Sequence, residues 1–440
     1  MDATTEALAS LLPPWIRIRL AAGASPIQST TPNGSGAVST TGPNAAPGVT
    51  IVVRRPSVVP ELLQRPSIDR FASAYIEGDL DVEGDLLAAV SALYALESGG
   101  IPLEAIDAAV AASDVTVSQE ASPRPVARED DATAVKHHYD RSNEFFALFL
   151  DPRMVYTCAY YPRDDASLEE AQEAKLELVC RKLRLAPGDR MLDFGCGWGG
   201  LVAHAARSHG ASALGVTLSS AQAEFAAATL DRLGLGEAEA SVRRAHWQEV
   251  EGHGCFDKVA AVGMIEHVGV ARHRALFDRV FGLLRPGGLF LNHGITHPSP
   301  GRYSTGMEFL TREIFPGAEF ERVSRIASTL EDAGFEIVDV EALGGHYART
   351  TADWLARLTA NAARARELVG ERTLRAWSGY LAAASVAFRA GWIDLHQVLA
   401  RKPSTADTAR PPEAVTGEQR RMGVTFAPST DRKPSCTRFP

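Results

Sequence analysis

Sixteen residues, MLDFGCGWGGLVAHAA (Met191–Ala206), leave this chain few architectures to choose from. They read as a buried strand, a glycine turn and a helix, with Asp193 set just before the glycines. Gly195, Gly197 and Gly200 fall at the spacing G-x-G-x-x-G. Glycines so placed let backbone approach a ligand and let a helix start close to the strand before it. The unit belongs to an α/β fold with a sheet covered by helices. Taken alone, the spacing does not separate one nucleotide-like ligand from another, nor either from a tight structural turn.

The rest of the chain narrows the choice. At 440 residues, two domains with tails are expected, and an apolar share of 45% suits sizeable cores. A formal charge of −9 argues against nucleic-acid binding through bulk positive charge. The five cysteines (Cys158, Cys180, Cys196, Cys255, Cys436) are odd in number and scattered. That pattern predicts neither a disulfide framework nor a zinc site, so no metal is expected. No apolar run reaches the ~18 residues of a spanning helix, and no basic-then-apolar leader opens the chain. The expected location is cytoplasmic.

Composition divides the chain into segments. Residues 1–48 are expected to be flexible, because 23–48 are dominated by Gly, Ser, Thr, Pro, Ala and Asn. Residues 49–112 read as a small α+β domain, with a strand at Val49–Val53, helical periodicity at Val58–Leu63 and Leu86–Leu96, and turn points at Gly78 and Gly84. A linker at 113–132 precedes a catalytic domain at 133–402, and 403–440 read as a disordered tail. Within 133–402 the strand candidates are Arg190–Phe194, Ser212–Thr217, Lys258–Met264, Leu289–Gly294 and Phe335–Leu343. Helices are expected at Ser219–Leu233, Arg272–Leu284 and Val323–Ala333, around a parallel sheet.

A nicotinamide site expects Asp or Glu at the end of the second strand, but Leu214–Ser219 (LGVTLS) has no acid. Asp193 instead suits a cationic, amine-bearing ligand such as S-adenosylmethionine (SAM), with a turn-capping acid as the alternative. LDFGCGWGG followed by VTLSSAQ (Val216–Gln222) resembles the cyclopropane-fatty-acid synthase family of SAM-dependent methyltransferases. So do HHYDRSNEFFALFLDPRMVYTCAYY (His137–Tyr161), MIEHVG (Met264–Gly269), FLNHGIT (Phe290–Thr296) and GGHYARTTADW (Gly344–Trp354). Arg375–Lys402 is similar to the family's C-terminal helices, and AYIEGDLDVEGDL to its small N-terminal domain. The motifs stand in family order.

The resemblance implies a class I SAM-methyltransferase (Rossmann-like) sheet with added helices. It implies SAM contacts at Tyr156, Thr157, Asp193, Gly195, Cys196, Gly197, Gly199, Thr217, Leu218, Gln222, Trp247 and Gln248. The implied reaction is methyl transfer to the cis double bond of an unsaturated phospholipid acyl chain, then loss of a proton from the new methyl to close a cyclopropane ring. The implied base is bicarbonate, held by Cys158, Glu266, His293, the Ile295 N–H and Tyr347. Tyrosine, histidine and a main-chain N–H can donate to an anion, and a glutamate can accept its hydroxyl. His267 is assigned a structural or supporting role; retention of both His267 and His293 favours ring closure.

Two features bear on the lipid. Ile314–Gly317 (IFPG) continues as Ala318–Glu321 (AEFE), where the family often has a glycine–proline loop, so headgroup or chain preference is open. Phe145, Phe146, Leu148, Phe149, Leu150, Tyr160 and Tyr161 are candidates to line an acyl route, or to pack a helix on the sheet. A phospholipid substrate implies peripheral contact with the inner face of the membrane; a homodimer is left open. The alternatives are a methyltransferase ending in a methyl or methylene branch, a catalytically silent lipid-binding homologue, and a nicotinamide oxidoreductase.

Overall fold

The computed structural model describes residues 15–21, 27–28, 48–59, 62, 67–99, 142–298 and 307–404. The linker, most of the N-terminal insert, the motif start at 137–141 and nearly all of the tail lie outside the described residues. The chain opens with β1 (Ile16–Leu20), β2 (Ile27–Gln28), β3 (Val49–Val53), α1 (Ile68–Glu77), β4 (Leu80–Glu83) and α2 (Leu86–Gly99). Next come α3 (Asn143–Ala147), α4 (Leu168–Lys182), β5 (Arg190–Phe194), α5 (Gly200–His209), β6 (Ser212–Thr217), α6 (Ser220–Arg232) and β7 (Ala240–Arg244). Then follow β8 (Phe256–Val262), α7 (Ile265–Val268), α8 (His273–Leu283), β9 (Leu284–Thr296), α9 (Met307–Glu313) and α10 (Val323–Asp332). The described chain closes with β10 (Glu336–Ala342), α11 (Gly344–Ala360), α12 (Ala362–Arg389) and β11 (Asp394–Arg401).

One compact unit joins Met1–Glu129 to Pro300–Pro316 and Ala348–Trp392. Its sheet has the order β2-β1-β3-β4, with β1 and β3 parallel. The sheet begins at Ile16, inside the segment expected to be flexible, because Ile16 and Ile18 alternate into the same core as Val49, Ile51 and Val53. Gly78 ends α1 in the left-handed region (φ 80°), as its turn role requires. Residues 348–392, expected within the catalytic domain, belong to this unit. Buried Arg375 on α12 explains part of that: its guanidinium donates to Tyr75 O and Leu80 O, each at 2.6 Å, and lies over the Tyr75 ring.

The other unit, Asp130–Ser299 with Gly317–Tyr347 and Ile393–Pro440, is built on a seven-stranded sheet of order β10-β11-β9-β8-β5-β6-β7. From β5 the chain winds outward through β6 and β7, then returns to place β8 on the other side of β5. That reversal is the switch point beyond which α/β sheets bind ligands. Alternate residues feed two cores. Leu192 and Phe194 join Leu276, Phe277 and Leu330 on one face; Met191 joins Leu176, Val179 and Val202 on the other.

Two expectations are corrected. The sheet is mixed, since β11 runs antiparallel between β9 and β10. Residues 394–401, read as the end of a helical stretch, form that strand, and β7 was not foreseen. Burial of Leu395, Val398, Leu399 and Ala400 in the middle of the sheet outweighs the helical context upstream.

Candidate active site

β5 carries Asp193 to the carboxyl edge, and the chain turns through Gly195 (φ 72°), Gly197 (φ 54°) and Gly199 (φ 82°) before α5 begins. These are conformations that glycine adopts without strain. Gly200, the third glycine of the spacing, serves space instead: a Cβ there would meet Val155 Cγ2 at 3.0 Å and Arg153 O at 3.3 Å.

Two clefts adjoin at this turn. They share Gly195, Gly197, Gln222 and Gly263, so one elongated ligand can span both. The first is lined by Thr217, Leu218, Trp247, Met264 and His267 among others. The second includes Tyr156, Thr157, Lys175, Asp193 and Cys196. Of the expected SAM contacts, Gly199 and Gln248 line neither, and Gln248 is exposed.

Local bonds set the polar groups. The Thr217 hydroxyl donates to Gln222 Oε1 at 2.7 Å, so what Gln222 can offer a ligand is its amide N–H. Trp247 opens a short 3-10 turn capped by His246, and its indole nitrogen is buried without a partner. Asp193 Oδ1 is likewise buried and unpartnered; burial pushes the carboxyl up to about 7, with Lys175 pulling the other way. The Lys175 ammonium donates to Thr157 Oγ1 at 2.7 Å. Burial brings it down to about 8, against the raising influence of Cys158, Asp151 and Asp193. Sequence reasoning missed Lys175. In EEAQEAKLELV it sits among residues that read as a solvated face.

A second group gathers at the ends of β8 and β9. Glu266, on α7, accepts the Ile295 N–H through Oε1 at 2.7 Å, while Oε2 is buried and unpartnered. The Ile295 N–H, expected to face an anion, here donates to Glu266. Gly294 permits that closure, since a Cβ there would collide with Ile265 Cγ2. Burial raises the Glu266 carboxyl to about 7, with the Ile295 N–H opposing. Glu319, in the segment that departs from the family loop, donates its N–H to Glu266 O at 3.0 Å.

His293 is fully buried, and Gln397 Nε2 donates to its Nδ1 at 3.1 Å. The imidazole proton is then on Nε2, which has no partner. Burial first, then Lys175 and Lys182, hold His293 well below its usual pKa, so it is neutral. Gln397 was also missed; it belongs to β11, whose register sets it opposite His293.

Cys158 is a buried free thiol whose Sγ donates to Ala159 O at 3.2 Å and points toward Leu343 O at 3.8 Å. The Tyr347 N–H donates to the same Leu343 carbonyl at 3.1 Å, which brings Cys158 and the first turn of α11 together. His267 lies in the lining of the first cleft. Phe145, Phe146 and Phe149 are fully buried and pack on one another, with Tyr156 and Trp198 against Phe146. These three rings therefore follow the packing alternative. Tyr160 and Tyr161 both face the His346 ring.

Residues 126–398 match the mycolic acid cyclopropane synthetase family. The chain belongs to this family. It is 40% identical over 363 residues to a probable fatty acid methyltransferase of Pseudomonas putida, covering 81% of this chain and 88% of that protein. Among solved structures, the cyclopropane synthase MmaA2 from Mycobacterium tuberculosis superimposes with a TM-score of 0.59 at 32% identity, covering 62% of this chain and 98% of that one. Mycolic acid cyclopropane synthase CmaA1, solved with SAH and CTAB, gives 0.58 at 34% identity, over 63% of this chain and 99% of that one. As a member of the cyclopropane synthetase family, the chain is a SAM-dependent methyltransferase with the α/β fold of such enzymes.

Proposed function

We propose that this methyltransferase transfers the SAM methyl group to the cis double bond of unsaturated phospholipid acyl chains and closes a cyclopropane ring. The observation that carries the reading is a pair of buried, unpartnered polar atoms at one sheet edge: Glu266 Oε2 and the neutral His293 Nε2. Buried polar atoms normally have partners, so such a pair is understood as part of a site that a ligand completes. The twelve SAM contacts and five catalytic residues inferred from the family motifs belong to this proposal, with Gly199, Gln248 and Ile295 acting through the turn and backbone.

The two clefts suit SAM along its length. Asp193 and Lys175 would frame the amino-acid end, and Leu218 and Trp247 the adenine. CmaA1 was solved with SAH, the product left when SAM gives up its methyl. The acyl double bond attacks the methyl carbon, the C–S bond breaks, and positive charge appears on the chain. Loss of a proton from the added methyl closes the ring.

Bicarbonate, when bound, would supply the base for that proton. His293 Nε2–H would donate to the anion, and Glu266 Oε2 would accept its hydroxyl. The Ile295 N–H, through its bond to Glu266, would orient that carboxylate toward the anion. The Tyr347 hydroxyl is assigned a second donor role and Cys158 a packing role. The negative potential of Glu266 would favour the developing cation.

No described helix is long and apolar enough to cross a membrane, so lipid contact in this reading is peripheral. A second reading, the same methyl transfer ending in a methyl or methylene branch, is favoured by the name of the Pseudomonas putida relative. Incubation with unsaturated phospholipid vesicles and labelled SAM, followed by product structure determination, separates the two. Cyclopropanation adds one CH₂ and leaves no double bond at that position; a surviving alkene in the methylated product refutes ring closure.

A further inference from the structure

A cluster on the outer side of the glycine turn plays no part in the chemistry above. Cys180 on α4 and His204 and His209 on α5 each offer one donor atom, all within 4.8 Å of one another. Glu177, one helical turn before Cys180, lies against both histidines: Oε2 is 3.2 Å from His204 Nε2 and 3.0 Å from His209 Nε2. We propose that Cys180, His204 and His209 bind a zinc-class divalent ion, with Glu177 closing the site as fourth ligand.

The donor set carries the assignment. One thiolate, two imidazoles and one carboxylate suit Zn²⁺, which takes S, N and O donors in a tetrahedron. Ligand atoms about 2.0 Å from such an ion lie roughly 3.3 Å apart. The two Glu177–histidine separations already match that edge, and the remaining separations need contraction. An entry path exists, because His204 lines a surface cleft together with Glu173 and Arg207. On binding, the Cys180 S–H bond breaks, sulfur keeps the electron pair and bonds to the metal, and the proton leaves to solvent.

The sequence pattern hid this site. The two histidines stand on α5 with four residues between them, but the one cysteine lies on another helix with no C-x-x-C pair, so cysteine arithmetic predicted no zinc. Packing of α4 against α5 brings the donors together. Those helices also flank the second cleft: α4 lines it with Lys175, Leu176 and Val179, and α5 with Gly200 and Leu201. A bound ion would cross-link them just behind the SAM site.

The full chain, stripped with chelator, is titrated with Zn²⁺ in competition with a chromophoric chelator, and with Co²⁺ followed by absorption. One equivalent of each is expected to bind, with a sulfur-to-cobalt charge-transfer band and a rise in Tm with Zn²⁺. Cys180→Ser removes that band, and His204→Gln weakens Zn²⁺ binding by about 100-fold. Circular dichroism and SAM affinity serve as the fold check; His204 is partly exposed, so His204→Gln keeps the test alive if Cys180→Ser does not fold. Absence of stoichiometric binding overturns the proposal. So does unchanged binding in a folded variant, the result expected if Glu177 merely accepts hydrogen bonds from two histidines.

Discussion

Replacing Gln397 with leucine tests whether the orientation of His293 governs turnover. The Gln397 amide donates to His293 Nδ1 at 3.1 Å, and both residues are fully buried. Leucine is close in volume but leaves Nδ1 without a donor. A buried acceptor left unpaired costs about 1–3 kcal/mol of stability. Moving the proton to Nδ1 does not remove the penalty, because the N–H then lacks an acceptor, and it strips Nε2 of the donor that faces the site. A neutral hydrogen bond is worth about 1 kcal/mol, so losing the bias toward the Nε2–H tautomer should lower kcat at most about fivefold. Methyl transfer from labelled SAM to unsaturated vesicles reads kcat, and calorimetry reads SAM affinity. The expected result is the kcat loss with SAM affinity held within about twofold. Wild-type turnover in a folded variant, or a loss confined to SAM affinity, would refute the role assigned to Gln397.

Three further outcomes follow from the site. The Glu266 carboxyl sits at about 7 in the folded chain against an ordinary 4.5, so the folded state holds an extra proton between those values. Stability should therefore fall as pH rises through that window, by roughly 3 kcal/mol in full. Glu266→Gln should flatten this slope in denaturant melts and slow turnover about 10²-fold while sparing SAM binding; an unchanged slope contradicts the assignment. Lys175→Met removes the ammonium that opposes protonation of Asp193, so SAM affinity at neutral pH should weaken about tenfold by calorimetry. Equal affinity would show that Asp193 is not poised by Lys175. Gly197→Val puts a side chain where a Cβ meets nothing within 4 Å, at a backbone φ of 54°, in the turn shared by both clefts. It should abolish SAM binding at a modest cost in Tm, and retained affinity would exclude the turn as the SAM cradle.

The glycine turn, the two strands beside it and the helix after it were legible because each carries a local signal. β5 and β6 occupy the residues expected, and Thr217, Gln222 and Trp247 line the first cleft. The family motifs marked Glu266 and His293 by position. Their partners were not legible. The Ile295 N–H, expected to face an anion, here donates to Glu266, because the close packing of Gly294 on Ile265 brings the strand end onto α7. Lys175 looked like one charge among many on α4 until sheet packing turned it inward.

The sequence by itself determined the ligand class and the reaction family, since a strand–glycine–helix unit, an acid-free second strand and ordered motifs are properties of short stretches. Tertiary structure alone decided what each polar atom faces. β11 slots antiparallel between β9 and β10, sets Gln397 against His293 and so fixes the proton on Nε2. α4 packs on α5 and assembles Cys180, His204 and His209 from separate helices. Hydrogen-bond partners and metal donors act over about 3 Å, and contacts that short between remote segments exist only after the layers have packed.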